Sequence, residues 1–224
     1  IEHVIQDGVS TDVSLAVIDR RATGRASIES APDGGIYDAI NKGIARANGD
    51  IIGLLHSDDL LAADTTIAAV AAAFADPQID GVYGDLDYVS AHDTAKVIRH
   101  WHSGAYDPRK LRRGWMPPHP TVYLRREVFA RLGTYDTSYR IAADYDAMLR
   151  YLGGGKLRMA SNPQVMVKLR MGGERTGSLR HIMRKSREDY RALRSNNMGG
   201  VGALFIKNAS KIPQFLTKRI AGTK

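Results

Sequence analysis

The sequence predicts an α/β fold: a mostly parallel central sheet with helices on its faces, followed by a basic helical extension. Three observations predict it. Ile51-Ile52-Gly53-Leu54-Leu55 is a short continuous apolar run, the pattern of a strand buried on both faces. Just before it, Ile36, Ile40 and Ile44 recur every fourth residue with small Ala39, Gly43 and Ala47 beside them, which is helical spacing. The charge is also divided. Residues 1–167 carry 18 Lys/Arg against 21 Asp/Glu, whereas residues 168–224 carry 14 against 3, so the last part holds all the excess behind a net charge of +8. A basic segment of this kind suits an anionic partner: lipid headgroups, nucleic acid or a phosphorylated substrate.

With 224 residues, 43% hydrophobic and 25% charged, the composition is that of one globular domain, or of one domain and an extension. No run of about 18 apolar residues predicts a transmembrane helix. The chain has no cysteine, which excludes disulfides and thiolate metal sites.

The elements follow in order. Ile1 to Ile5 reads as a strand, followed by Asp7-Gly8-Val9-Ser10-Thr11-Asp12. Ser10 or Thr11 suits the cap of a helix carrying Leu15, Val17 and Ile18, and Asp7 and Asp12 on their own read as turn and capping acids. Ala26 to Ser30 is the next strand, with Glu29 near its end and Asp33 beyond. Gly34-Gly35 and Asn48-Gly49 bracket the isoleucine helix. The apolar strand after it emerges at His56-Ser57-Asp58-Asp59. Ligands of open α/β sheets bind outside the carboxyl ends of strands. Paired carboxylates there suit a hard divalent cation, which in turn suits a diphosphate. One of the two acids also reads as a cap for the helix of Ile67, Val70, Ala71 and Phe74.

Gly81 to Val89 alternates as a strand with Asp85 and Asp87 on one face, and Thr94 to His100 is expected to pair with it as a hairpin. Trp101 to Pro120 is irregular, with Arg109, Lys110, Arg112 and Arg113, and is expected to be a mobile loop over a ligand. It ends at His119 in a proline turn, before the strand Val122-Tyr123-Leu124 and a helix from Arg125. Asp144 and Asp146 open a helix whose apolar face is Tyr145, Met148, Leu149 and Leu152; acids in a first turn are favoured by the helix dipole. Lys156 to Ala160 and Gln164 to Leu169 read as closing strands. After Gly172-Gly173, a helix presents Leu179, Ile182, Met183, Tyr190 and Leu193 on one face and Arg180, Arg184, Arg187, Arg191 and Arg194 on another. Leu204, Phe205, Ile212, Phe215, Leu216 and Ile220 then form two short helices around Pro213. These readings divide the chain into a domain at 1–170 and a basic amphipathic extension at 171–224.

Gly35-Ile36-Tyr37-Asp38-Ala39, Asn41-Lys42-Gly43-Ile44, Gly49-Asp50-Ile51-Ile52 and Ser57-Asp58-Asp59 together resemble the family 2 glycosyltransferases, in particular their bacterial surface-polysaccharide branch. Asp7-Gly8-Val9-Ser10-Thr11-Asp12 and Ala143-Asp144-Tyr145-Asp146 carry the resemblance over nearly the whole chain. It implies the GT-A fold, a three-layer sandwich, and inversion at the anomeric carbon. It also implies a nucleotide-diphosphate sugar donor, a UDP-sugar first, and a divalent metal, Mn2+ or Mg2+. The implied acceptor is a glycan or a polyprenyl-diphosphate-linked sugar. The implied location is the cytoplasmic face of the plasma membrane, with the basic extension on an anionic surface and no nucleic acid bound. One further strand and helix are expected before residue 1.

The resemblance also assigns roles. Asp7 contacts the nucleotide base. Glu29, Tyr37, Asn41 and Lys42 border the donor, Asp58 faces the ribose or diphosphate and the metal, and Asp59 holds the metal. His56 stands where many members have the first acid of that motif, and Val9 and Val13 where many have glycine. Asp85, His119 and Asp146 face the sugar or the acceptor. Asp144 is the general base, with Ala143 where glutamate is common. Three other readings stay open: a sugar nucleotidyltransferase, a non-catalytic remnant that binds a partner, and a nucleic-acid-binding protein. The last leaves the carboxylates idle, and no stacking aromatics interleave with the arginines.

Overall fold

The computed structural model describes residues 1–22, 24–154, 157–171 and 179–209. β1 (His3–Asp7) and β2 (Ala26–Ser30) run parallel, joined through α1 (Ser14–Arg21), and form a two-stranded sheet of their own. α2 (Ile36–Arg46) is the isoleucine helix, and its Ile44 is buried. Then come β3 (Ile51–Gly53), β4 (Asp59–Leu61), α3 (Thr66–Ala73), β5 (Gly81–Ser90) and β6 (Val97–Trp101). α4 (Pro108–Leu111), a 3-10 turn at His119–Thr121, β7 (Tyr123–Arg125), α5 (Arg126–Leu132), α6 (Ala143–Gly153) and β8 (Met159–Met171) complete the sheet and its cover. α7 (Leu179–Ser195) and α8 (Val201–Ala209) follow.

β5 is the spine of the larger sheet, whose order is β3-β7-β5-β8-β4. β8 runs parallel along one edge of β5, while β7 and then β6 run antiparallel along the other. β3 with β7 and β4 with β8 are also antiparallel. The α/β class is as expected, but the sheet is mixed rather than mostly parallel. The short link between β5 and β6 joins antiparallel neighbours, and β3–β7, β5–β7 and β4–β8 add antiparallel pairs between strands distant in sequence. The two expected closing strands are one long strand, β8. The apolar run at Ile51 stops pairing at Gly53, and Leu55 is exposed. A Cβ at Gly53 would run into the ring of Tyr123, its cross-strand partner, so glycine lets the two strands meet there.

Alternation along the strands covers both sheet faces. Tyr83 and Leu124 enter one apolar cluster with α2, α5 and α6, while Val82, Leu86 and Tyr123 enter a second with Val70 of α3. Helices therefore lie on both sides, giving three layers. Residues 101–120 are packed in, contrary to the expected free loop. Leu111 is fully buried, Tyr106 donates its hydroxyl to the Leu152 carbonyl at 2.7 Å, and Trp115 Nε1 donates to the Ser103 carbonyl at 3.0 Å.

The described part of the basic extension shares this core. Ala192 and Leu193 of α7 lie in the same cluster as α6. Asp189 of α7 and Lys207 of α8 are buried and paired at 2.8 Å, with the Lys207 ammonium 3.1 Å from the centre of the Tyr145 ring. Of the apolar face expected on this helix, Leu193 is buried, whereas Ile182, Met183 and Tyr190 are exposed. Lys156, Gly172, Gly173 and the segment from Ile212 to Ile220 lie outside the described residues.

Candidate functional site

Asp144 sits in the first turn of α6, where a negative charge is favoured by the exposed amides and the dipole. Its Oδ1 accepts from the Tyr145 amide at 2.7 Å and lies 3.4 Å from the Tyr37 hydroxyl. Tyr37, on α2, donates chiefly to the Ile141 carbonyl at 2.7 Å and stacks on Tyr135 at 6.0 Å. Burial, and then the Asp144 charge, push the Tyr37 phenol well up, so it remains a donor. The turn before α6 has no side-chain cap of its own. Glu188 of α7 supplies one: Oε2 accepts from the Ile141 amide at 2.8 Å and the Ala142 amide at 3.0 Å. A carboxylate is thus presented on a helix end that is held from both sides.

His119 and His56 complete this neighbourhood. The His119 ring is 6.0 Å from that of His56 and 5.5 Å from that of Tyr135, and its Nε2 shares a 2.7 Å hydrogen bond with the Tyr135 hydroxyl. His119 is buried, with this bond to Tyr135 inside the chain. Burial pushes its pKa down to about 4, opposed by the Asp144 carboxylate and reinforced by His56. The ring is therefore neutral at pH 7. Stability carried by the neutral ring is fully present above the unfolded value of about 6.5 and is lost as pH falls through about 4. Expected is a loss of about 3 kcal/mol across that window, read by denaturant unfolding at pH 7 and pH 4. His119→Gln is expected to flatten the slope, whatever its stability at pH 7. An unchanged slope would show that other groups set it.

Asp7 ends β1 beside β2. Its carboxylate accepts from the Ser10 hydroxyl at 2.5 Å, the Ser30 hydroxyl at 2.6 Å and the Ser10 amide at 3.0 Å. These bonds hold its pKa at about 2. The next turn passes through Val9 at φ 63°, a left-handed conformation that is strained for a β-branched residue. It falls at a position where the resemblance expects glycine.

Several expected donor contacts are engaged elsewhere in the chain. Asn41 clamps Tyr135, donating to its carbonyl at 2.8 Å and accepting from its amide at 2.9 Å. Lys42 donates to the Pro32 carbonyl at 2.8 Å and pairs with Asp38 at 3.0 Å. Glu29 pairs with Arg46 at 3.3 Å. Asp146 is buried away from solvent, accepting from Asn196 at 2.9 Å with Arg150 at 3.5 Å. Each of these side chains thus has partners within the chain, 4 and 10 residues away for Lys42 and 17 to 94 residues away for Glu29, Asp146 and Asn41.

Asp58 is exposed in the turn after His56, and Asp59 opens β4 as a buried residue opposite Leu169. Two carboxylates are what a hard cation takes in nucleotide sites, where phosphate oxygens and water supply the other ligands. Asp58 and Asp59 supply oxygen donors of the kind Mn2+ or Mg2+ takes.

Asp85 is 2% exposed, and both its carboxylate oxygens have partners within the chain. Oδ1 accepts from the Ser103 amide at 2.8 Å and the Ser103 hydroxyl at 2.7 Å; Oδ2 lies 2.8 Å from His102 Nδ1 and 3.2 Å from His100 Nε2. Burial pushes its pKa up, but the Ser103 and His102 bonds outweigh this and hold it below the usual value. His100 Nδ1 in turn lies 2.7 Å from Asp87 Oδ1, and that bond raises the imidazole pKa. The β5–β6 hairpin was legible from the sequence, and it sets Asp87 opposite His100. His100 and His102 were missed. Extending the two-residue period of Asp85 and Asp87 across the hairpin would have found them, since His100 and His102 share that spacing. Glu188 had no such signal, because it lies 46 or 47 residues from the amides it caps.

Residues 1–141 match the family described as Glycosyl transferase family 2. A PGL/p-HBAD biosynthesis glycosyltransferase of Mycobacterium bovis is 34% identical over 153 residues, covering 66% of this chain and 57% of that protein. The chain thus spans about half the length of the mycobacterial relatives it matches. Among solved structures, a mannosyltransferase from Pyrobaculum calidifontis in complex with GDP-Man and Mn2+ superposes with a TM-score of 0.61 at 18% identity, covering 100% of this chain and 67% of that one. TarS of S. aureus, in complex with UDP-GlcNAc, gives 0.63 at 17% identity, covering 87% and 56%. At such identities the likeness is one of fold, the GT-A fold.

Proposed function

Because this chain belongs to glycosyl transferase family 2, we propose that it moves a sugar from a nucleotide-diphosphate donor to a hydroxyl of a glycan or lipid-linked acceptor in surface-glycan assembly. The observation that carries this reading is Asp144, a carboxylate at a helix N-terminus whose preceding turn is held by Tyr37 at the Ile141 carbonyl and by Glu188 at the Ile141 and Ala142 amides. In this reading Asp144 takes the proton of the acceptor hydroxyl as that oxygen bonds to the anomeric carbon. The bond from that carbon to the diphosphate oxygen breaks on the opposite face, so configuration inverts. The Tyr145 amide orients the carboxylate at 2.7 Å, with the Tyr37 hydroxyl 3.4 Å away. A divalent cation at Asp58 and Asp59 would supply charge that offsets the departing diphosphate. Asp7, at the end of β1, is assigned to the base.

The test is calorimetric titration of UDP and GDP into the chain with and without Mn2+. Metal-dependent binding, weakened at least about tenfold in Asp59→Ala, is expected. A folded chain that bound neither nucleotide would overturn the donor reading.

The same proposal places the protein against the inner face of an anionic membrane. It is supported by the arginines of α7 and by the exposed Met183, Tyr190, Val201, Phe205 and Ile206 beside them. Salt-sensitive binding to phosphatidylglycerol vesicles is expected, and reversing Arg180, Arg184 and Arg187 to Glu is expected to abolish it. Equal binding to neutral vesicles would overturn this placement. Deleting α7 is not a clean test, since Ala192 and Leu193 are part of the core.

A further inference from the structure

Asp85, His100 and His102 stand apart from the groups used above. Each offers one ligand atom, and the three atoms lie within 4.8 Å of one another. Asp59 belongs elsewhere: it is on β4, across β8 from β5, opposite the Leu169 that pairs with Tyr88 on its other side. The cluster is built rather than incidental. Asp85 is buried where the β5–β8 register slips, Gly84 facing Asn162 and Asp85 facing Val165. Irregularities of this kind re-aim a side chain. Ser103 occupies Oδ1 with two hydrogen bonds, which leaves Oδ2 toward the two imidazoles.

His100 shows the arrangement of a metal-ligating histidine. Such a ring donates its second N–H to a carboxylate, which sets the tautomer and orientation. Asp87 stands ready for this at 2.7 Å from Nδ1. A neutral His100 that donates from Nδ1 turns the lone pair of Nε2 toward Asp85 Oδ2, 3.2 Å away. Two lone pairs facing each other repel, and a cation between them removes the conflict.

We propose that Asp85, His100 and His102 form a second divalent-metal site, selective for a borderline ion of the Zn2+ class. Two imidazole nitrogens and one carboxylate oxygen are the ligand set of open zinc sites, whereas Mg2+ and Ca2+ prefer oxygen alone. The fourth position faces solvent, since the His100 and His102 side chains are 46% and 70% exposed. Bound there, the ion ties the end of β6 and the following residues to β5. The inference does not depend on glycosyl transfer, and its test reads no activity.

The chain is stripped of metal and titrated with Zn2+ by calorimetry, and with Co2+ by visible absorption. One ion per chain is expected, with ligand-field bands of a low-coordinate Co2+ site. His102→Ala, at an exposed ring, is expected to keep the parent circular dichroism and weaken Zn2+ binding by about 100-fold or more; Asp87→Asn is expected to weaken it about 10- to 100-fold. Mg2+ at millimolar concentration is not expected to compete. Absence of Zn2+ heat and Co2+ bands in the folded chain would overturn the proposal. So would Zn2+ binding that is unchanged in His102→Ala, which would place the ion elsewhere.

Discussion

Asp144→Asn is expected to fold as the parent does and to lose about two to four orders of magnitude in turnover, the usual contribution of a general base. That corresponds to about 3–5 kcal/mol of transition-state stabilisation. The amide is nearly isosteric, and its carbonyl oxygen still accepts from the Tyr145 amide, the 2.7 Å bond that orients the carboxylate. What it cannot do is take a proton. The loss is therefore expected in turnover at saturating donor and acceptor, with nucleotide affinity and unfolding midpoint unchanged. Parent-like turnover in a folded Asp144→Asn chain would remove Asp144 from the chemistry and leave the rest of the site intact.

Glu188→Ala is expected to damage stability and turnover together. One carboxylate oxygen accepts from two consecutive amides, those of Ile141 and Ala142, at 2.8 and 3.0 Å. Removing it strands both donors in a part-buried turn, at a cost of about 2–4 kcal/mol by the usual penalty for unpaired amides. The freed turn lies directly before Asp144, so a displaced carboxylate is expected to cost a further tenfold or so in turnover. Glu188→Gln separates the two effects, because its carbonyl oxygen can receive the same amides. It is expected to recover most of the turnover and part of the stability. Turnover that stays low in a stable Glu188→Gln chain would assign Glu188 a role of its own in the reaction. Unfolding curves and turnover measured on the same preparations decide between these results.

Much of the frame was legible because its signals are local. The isoleucines of α2, the alternation of β5, the hairpin to β6 and the acids in the first turn of α6 each lie within one short window, where the helix and strand periods are read directly. The motifs from Gly35 to Asp59 carry the family in the same way, and Tyr37 lies among them. Strand direction was not legible to the same degree. β3, β7, β5 and β8 come together from distant parts of the chain, and only their pairing decides which runs parallel.

The sequence by itself determined the α/β class, the family, the order of most elements and the presence of acids at strand and helix ends. The tertiary structure alone decided which of those polar groups remain available. Asn41 is taken up by Tyr135, 94 residues away, and Tyr37 by the carbonyl of Ile141, 104 residues away. Asp85 is taken up by His100, His102 and Ser103, 15 to 18 residues away, and Asp146 by Asn196, 50 residues away. The physical reason is that propensity and period act between near neighbours, whereas a buried polar atom must find its partner wherever packing places one. A carboxylate in the sequence is therefore a candidate for chemistry, and its three-dimensional neighbours decide whether it is a cap, a metal ligand or a base.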